Sequence, residues 1–197
     1  MDVTIDKLAT EPNTLPNSLP GRCRGDLLGP WGTNVTKRFG TDGLARVRRR
    51  LAPPLDQLAP VLTARDWVPI LAQLRVTEAI VDEHLGGDWL ALLPLLIEDT
   101  RAGVGRVQLA LLRSLGPGNA FRLTSRSFEK VYEQGTAIAT VERKQARLAF
   151  TGNAVFAQPR WRLMQLFAMR TMMELAAAPG TAIGEDAPDG FIAIARW

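Results

Sequence analysis

The chain has 197 residues, 46% hydrophobic and 22% charged, with a formal net charge of +4, a mixture and size that build a globular core without covalent staples. Its one cysteine, Cys23, excludes an internal disulfide and any CxxC metal or redox pair. The first ten residues carry Asp2 and Asp6 and no apolar stretch, unlike a secretory leader, and the apolar run at 89–97 is interrupted by Pro94 and is too short to span a bilayer.

In chain order, residues 1–39 read as a flexible arm. Pro12, Pro16, Pro20 and Pro30 recur among glycines and asparagines, so backbone donors are missing and ordering is entropically costly. Trp31 and Phe39 are suited to pin the end of that arm onto a single domain at 40–197. Thr41 or Asp42 is placed to cap a helix carrying Leu44, Val47 and Leu51, broken by Pro53 and Pro54. A short helix over 55–62 follows. Ile70, Leu74, Thr77, Val81 and Leu85 then recur at helical spacing up to Gly86 and Gly87. Asp88 is placed to cap a helix from Trp89 to about Thr100, and another spans 105–115, with Leu111, Leu112 and Leu115 expected to be buried.

Beyond Gly118 the texture changes. A helix over 120–132 is expected to turn Phe121 and Phe128 inward. Residues 136–142 and 147–151 alternate as strands, with Arg143, Lys144 and Gln145 at the hairpin tip. A helix from Pro159 to about Ala177 carries Trp161, Met164, Phe167, Ala168, Thr171 and Leu175. Strands at 181–184 and 191–197 close the chain, the second apolar on both faces. The fold class is α+β: an N-terminal helical cluster, then β-hairpin, helix and β-hairpin, giving an antiparallel sheet of about four strands.

That layout, with Gly43, Trp67, the stretch Leu-Leu-Arg-Ser-Leu-Gly-Pro at 111–117, Tyr132–Gly135, Trp161 and the ending Phe-Ile-Ala-Ile-Ala-Arg-Trp at 191–197, resembles a myxobacterial paralogous family of unknown function. That family is in turn similar to the superfamily of heme-nitric-oxide-binding domains, vinyl-4-reductase-like sensor domains and related transport-complex subunits. The resemblance implies a ligand sensor or dimerising scaffold, with a pocket between helical cluster and sheet, here assigned to Trp67, Leu111, Phe128 and Trp161. Core packing is the plainer reading of both tryptophans. The heme branch requires an axial ligand. The chain's one histidine, His84, stands at a helix end beside Asp82 and Glu83, where a surface residue stabilised by the helix dipole is the plainer reading. The family's Tyr-x-Ser-x-Arg pattern is only echoed by Thr124–Ser125–Arg126. No cofactor is expected.

Other chemistries find few parts. One histidine and one cysteine leave too few soft ligands for zinc, and the acids between 78 and 99 have no calcium-loop spacing. No Gly-x-Ser-x-Gly elbow or phosphate loop is present. Cys23 lies between Arg22 and Arg24, a setting that lowers a thiol pKa, but on an arm that holds no geometry. The chain therefore reads as a cytoplasmic, non-enzymatic binding module, either sensor-like with a small apolar ligand or a scaffold for a protein partner or homodimer. Charge is segmented, +4 over 1–50, −3 over 51–118, +5 over 119–179 and −2 thereafter. Arg46, Arg48, Arg49 and Arg50, with Arg143 and Lys144, are the candidate partner-binding residues. They serve an acidic protein surface, or in the alternative reading a nucleic acid, unless they are plain solvated charge.

Overall fold

A computed structural model describes residues 2–12 and 15–197. The chain divides into two compact units, one holding residues 1–15, 93–129 and 134–197, the other residues 16–92 and 130–133. A single body at 40–197 was expected.

In the first unit β1 (Asp2–Thr4) leads into α1 (Ile5–Thr10). The segment 1–39 was expected to be an arm without regular structure. Met1, Asn13 and Thr14 lie outside the described residues, and the rest corrects that expectation. Thr4 caps α1, its hydroxyl accepting from the Lys7 amide, and Leu8 is buried. Arg160, itself buried, donates to the carbonyls of Leu8, Ala9 and Glu11 at 2.8, 3.1 and 2.8 Å. The last α1 carbonyls, which no helical turn follows, are thus satisfied by a charged donor. The partner lies some 150 residues downstream, so no local signal announces it.

The second unit opens with β2 (Arg22–Arg24) and α2 (Trp31–Arg50). The α2 backbone breaks at Gly40, whose φ of +76° suits glycine. Trp31 is buried and its indole donates to the Ala59 carbonyl at 2.8 Å. The helix expected at 55–62 shrinks to a 3₁₀ turn at Leu55–Gln57. Trp67–Pro69 forms β3, paired antiparallel with β2, and α3 (Ala72–His84) follows. Leu74 and Val81 are buried on α3, as their spacing requires.

Two helices then precede the sheet. Asp88 accepts from the amides of Leu90 and Ala91 ahead of α4 (Leu92–Gly103). α5 (Arg106–Val131) breaks at Gly116, φ +72°. Phe121 and Phe128 are buried, as predicted, whereas Leu111 and Leu115 are exposed against expectation.

The sheet comprises β1, β4 (Thr136–Glu142), β5 (Gln145–Thr151), β6 (Thr181–Ala187) and β7 (Gly190–Arg196), in the antiparallel order β1-β6-β7-β5-β4. Four strands were expected; β1 adds the fifth by pairing Val3 with Gly184. Helix α6 (Pro159–Leu175) covers one face, packing against β6 and β7, with α1 against it. Trp161, Met164, Phe167, Thr171 and Leu175 are buried as the spacing predicts, whereas Ala168, expected on the same face, is exposed, and Leu163, Leu166, Met169 and Met173 are buried without having been named. The core of this unit is aromatic: Trp161 lies 4.5 Å from Phe156 and 5.0 Å from Phe150 between ring centroids, and Phe128 meets both phenylalanines. On the open edge, Ser125 of α5 donates to the Ala137 carbonyl at 2.6 Å and accepts from the Ala139 amide at 3.1 Å. The helix thereby shields backbone groups that an edge strand otherwise offers to other chains.

Candidate functional site

The second unit contains a cleft of about 720 Å³. One wall comes from the end of α2, where Pro53 and Pro54 force the chain to leave the helix after Leu51. The other comes from α3, and Asn17, Ser18 and Leu19 close part of the opening. Leu51, Pro53, Leu55, Pro69, Leu71 and Ala79 make the wall largely apolar. Four charged residues punctuate it, Arg50, Arg75, Glu78 and Asp82. Arg75 bridges Glu78 at 3.0 Å and donates to the Pro16 carbonyl at 2.8 Å, which ties the 16–19 segment to α3. Asp82 is exposed. Apolar walls with a few fixed polar groups bind a molecule with an apolar body and a polar end.

Arg46 and Arg50 converge on Glu83 of α3, at 2.8 and 2.7 Å. The Arg50 bond, with help from Arg46, holds the Glu83 carboxyl below its usual range. Arg48 donates to the Leu58 carbonyl at 3.0 Å, and Arg49 is exposed. Three of the four clustered arginines are therefore engaged inside their own unit. Arg143 and Lys144 form the two-residue turn between β4 and β5, both exposed.

Of the four residues assigned to a pocket, two share one core. Phe128 and Trp161 are buried in the aromatic core, Leu111 is 56% exposed on α5, and Trp67 belongs to the other unit. Trp67 is instead stacked under the Arg24 guanidinium, 4.0 Å from the ring centroid. The observed cleft escaped the sequence reading because its walls are short, aperiodic proline segments brought together by α2–α3 packing. The prolines at 53 and 54 were its one visible trace.

Cys23 is fully buried, its Sγ 3.9 Å from the Pro69 carbonyl oxygen, and burial, with some help from Asp26, pushes its thiol up to about 12. The flanking arginines face the other way along the strand, Arg22 to Glu133 at 2.7 Å and Arg24 to Trp67. The thiol is therefore held protonated, not activated. Among the described residues no group of three or more His, Cys, Asp or Glu side chains is placed to hold a metal ion. No helix there is long and apolar enough to cross a membrane.

A crystal structure of the Fe(II) unliganded H-NOX protein from K. algicida superposes with a TM-score of 0.52 over 88% of this chain and 95% of that one, at 12% identity. The fold is H-NOX-like. The likeness carries the architecture alone at that identity. No family model matches the chain and no curated protein does, so the narrower resemblance to a myxobacterial family has no support.

An H-NOX-like fold raises the question of a heme. His84 closes α3, half-buried, its ring stacked on Phe39 at 4.0 Å and 5°. Its Nε2 lies 3.2 Å from the Gly43 carbonyl oxygen. One ring face is covered and Nε2 is engaged by backbone. Gly43 is close enough that a Cβ there would come within 3.2 Å of the imidazole. Ser125, at the serine position of the echoed Tyr-x-Ser-x-Arg pattern, is committed to the β4 edge. The residues present do not fit a histidine-ligated heme.

Proposed function

We propose that the chain is a non-enzymatic, sensor-like binding module whose ligand is a small molecule with an apolar body and a polar end. The observation that carries this reading is the cleft in the second unit, of about 720 Å³, walled by Leu51, Leu55 and Leu71 and edged by Arg75, Glu78 and Asp82. The H-NOX likeness supports it at the level of fold. A protein partner or a second copy of the chain would receive the signal. A lone cysteine suits a cytoplasmic setting. The nucleic-acid alternative draws less support, because Arg46 and Arg50 are turned onto Glu83 and Arg48 onto backbone.

The test uses Leu55→Trp, a half-buried wall residue replaced by a larger one, which fills the cleft with little cost to the core. Native mass spectrometry of the wild type is expected to show a retained small-molecule adduct, or anilinonaphthalene sulfonate to bind it saturably. Both signals should fall in the variant at unchanged circular dichroism. A wild type with neither signal, or a variant that binds as the wild type does, refutes the reading.

A further inference from the structure

Two of the charges that line the cleft of the second unit are left over once the others have paired. One face of α3 forms a wall, since Leu71, Arg75, Glu78, Ala79 and Asp82 line the cleft and recur at helical spacing. Arg75 and Glu78 close on each other at 3.0 Å, and Arg75 also holds the Pro16 carbonyl. Asp82 falls in the middle of the same face. It is exposed and has no hydrogen bond or ion pair among the described residues.

Arg50 enters the cleft from the end of α2. Glu83 holds its Nε at 2.7 Å, which leaves the two terminal guanidinium nitrogens without a partner among the described residues. Glu83 does not neutralise Arg50 alone, because the same carboxylate takes Arg46 at 2.8 Å. Two guanidinium groups against one carboxylate leave a surplus positive charge, and Asp82, the residue before Glu83, carries a surplus negative one. Both stand at one end of the cleft: Arg50 is raised above its usual range by its hydrogen bond to Glu83, and the charges of Glu83 and Asp82 add to the effect. Leu51 follows Arg50 directly, and Leu71 lies about 16 Å before Asp82 along α3. The apolar wall therefore runs away from a charged end.

We infer that the cleft selects a net-neutral amphiphile whose head carries both an ammonium and an acid group, the ammonium against Asp82 and the acid on the unpaired edge of Arg50. The inference rests on the reading of this cleft as a ligand site and names the ligand's class. A carboxylate or phosphate accepts from a guanidinium edge in a planar fork, which Arg50 presents. A head with an anion alone would be repelled by Asp82, and one with an ammonium alone by the surplus charge at Arg50; such like-charge contacts are what separate ligands of similar shape. An uncharged head would cover both side chains without replacing the water they lose. A zwitterion meets each with the opposite sign. Amino-acid heads and phosphocholine heads share this chemistry.

The experiment is isothermal titration calorimetry of the full chain, below micelle-forming concentrations, with compounds that share one octyl tail: octylphosphocholine, 2-aminodecanoate, nonanoate, octylammonium and octanol. The better of the two zwitterions is expected to bind about tenfold tighter than octanol, each solvent-screened pair contributing up to about fivefold, and tighter than either singly charged compound. Octylphosphocholine ahead assigns a phosphocholine head, and 2-aminodecanoate ahead assigns an amino-acid head. Asp82→Asn should shift the preference towards nonanoate, and Arg50→Gln towards octylammonium. Opposite shifts are the signature of charge recognition, since a merely structural role would weaken all the compounds alike. Both side chains are exposed, so circular dichroism should match the wild type. Octanol, nonanoate or octylammonium binding as tightly as the better zwitterion, or variants that leave the order of affinities unchanged, overturns the inference and leaves the cleft a ligand site. Binding of none of the compounds also overturns it, and the reading of the cleft falls with it only where Leu55→Trp changes neither adduct nor dye binding.

Discussion

Phe156 offers the sharpest test of the aromatic core. It sits in the 3₁₀ turn ahead of α6, at 0% exposure, in ring contact with Phe128, Phe150 and Trp161 at 5.9, 5.8 and 4.5 Å between centroids. Truncation to alanine removes a whole ring from a close-packed interior, which costs about 3–5 kcal/mol from lost transfer energy and the cavity left behind. Three aromatic contacts disappear together, each worth about 0.5–1.5 kcal/mol beyond its area, so the upper part of that range applies. Collapse is hindered because the site is framed from several elements at once: Phe128 from α5, Phe150 from β5 and Trp161 from α6. Gly135 closes it from a further side, at φ +89° and so near that a Cβ there would fall 2.8 Å from the Phe156 ring. The expected loss is about 4 kcal/mol, or roughly 8–16 °C in Tm for a chain of this size. Urea titration followed by near-ultraviolet circular dichroism measures it, since Trp161 loses its asymmetric environment as the core opens. A loss below about 1 kcal/mol, with an unchanged slope, would mean that the rings do not form a shared core.

Three more expectations follow from single contacts. Arg160→Ala should cost about 2–3 kcal/mol by leaving three carbonyls and a buried helix end without their donor, and hydrogen exchange should show residues 5–10 losing protection first; unchanged protection there would mean α1 is held by Leu8 alone. Glu83 titrates below its ordinary value when folded, so its contribution to stability is present above the unfolded carboxyl pKa, roughly 4.3, and is lost as pH falls through the lower folded value; acid unfolding should begin in that window, and Glu83→Gln should flatten the slope there. Cys23, pushed up to about 12 by burial, should resist Ellman's reagent at pH 8 until denaturant is added, and because its folded value is the higher one, the stability it contributes below about 8.5 should be lost as pH rises above that; rapid labelling of the native protein would show the β2 strand to be open.

How much of this was readable from residue order depends on the range of the forces involved. Helix α3, the Phe121 and Phe128 face of α5, the β4–β5 hairpin and the buried side of α6 were all legible, because apolar spacing of 3.6 or 2 residues is a local property of the chain. The reading failed where the deciding partner was distant. The proline- and glycine-rich start looked unable to repay its ordering entropy. It is ordered because Arg160 caps α1, Val3 pairs with Gly184 in the sheet and Cys23 is buried on β2 beside β3. The apolar spacing that promised burial of Leu111 and Leu115 says nothing about whether a neighbour is present to bury them, and none of the described elements covers those side chains. The arginines at 46–50 looked like a surface awaiting a partner until α3 brought Glu83 between two of them. The cleft has no sequence period at all, since it is a space between elements, and spaces are set by how helices pack once each has formed. Local pattern thus specified which residues form elements and which side is apolar, while long-range hydrogen bonds, ion pairs and packing specified which elements meet and where room for a ligand is left.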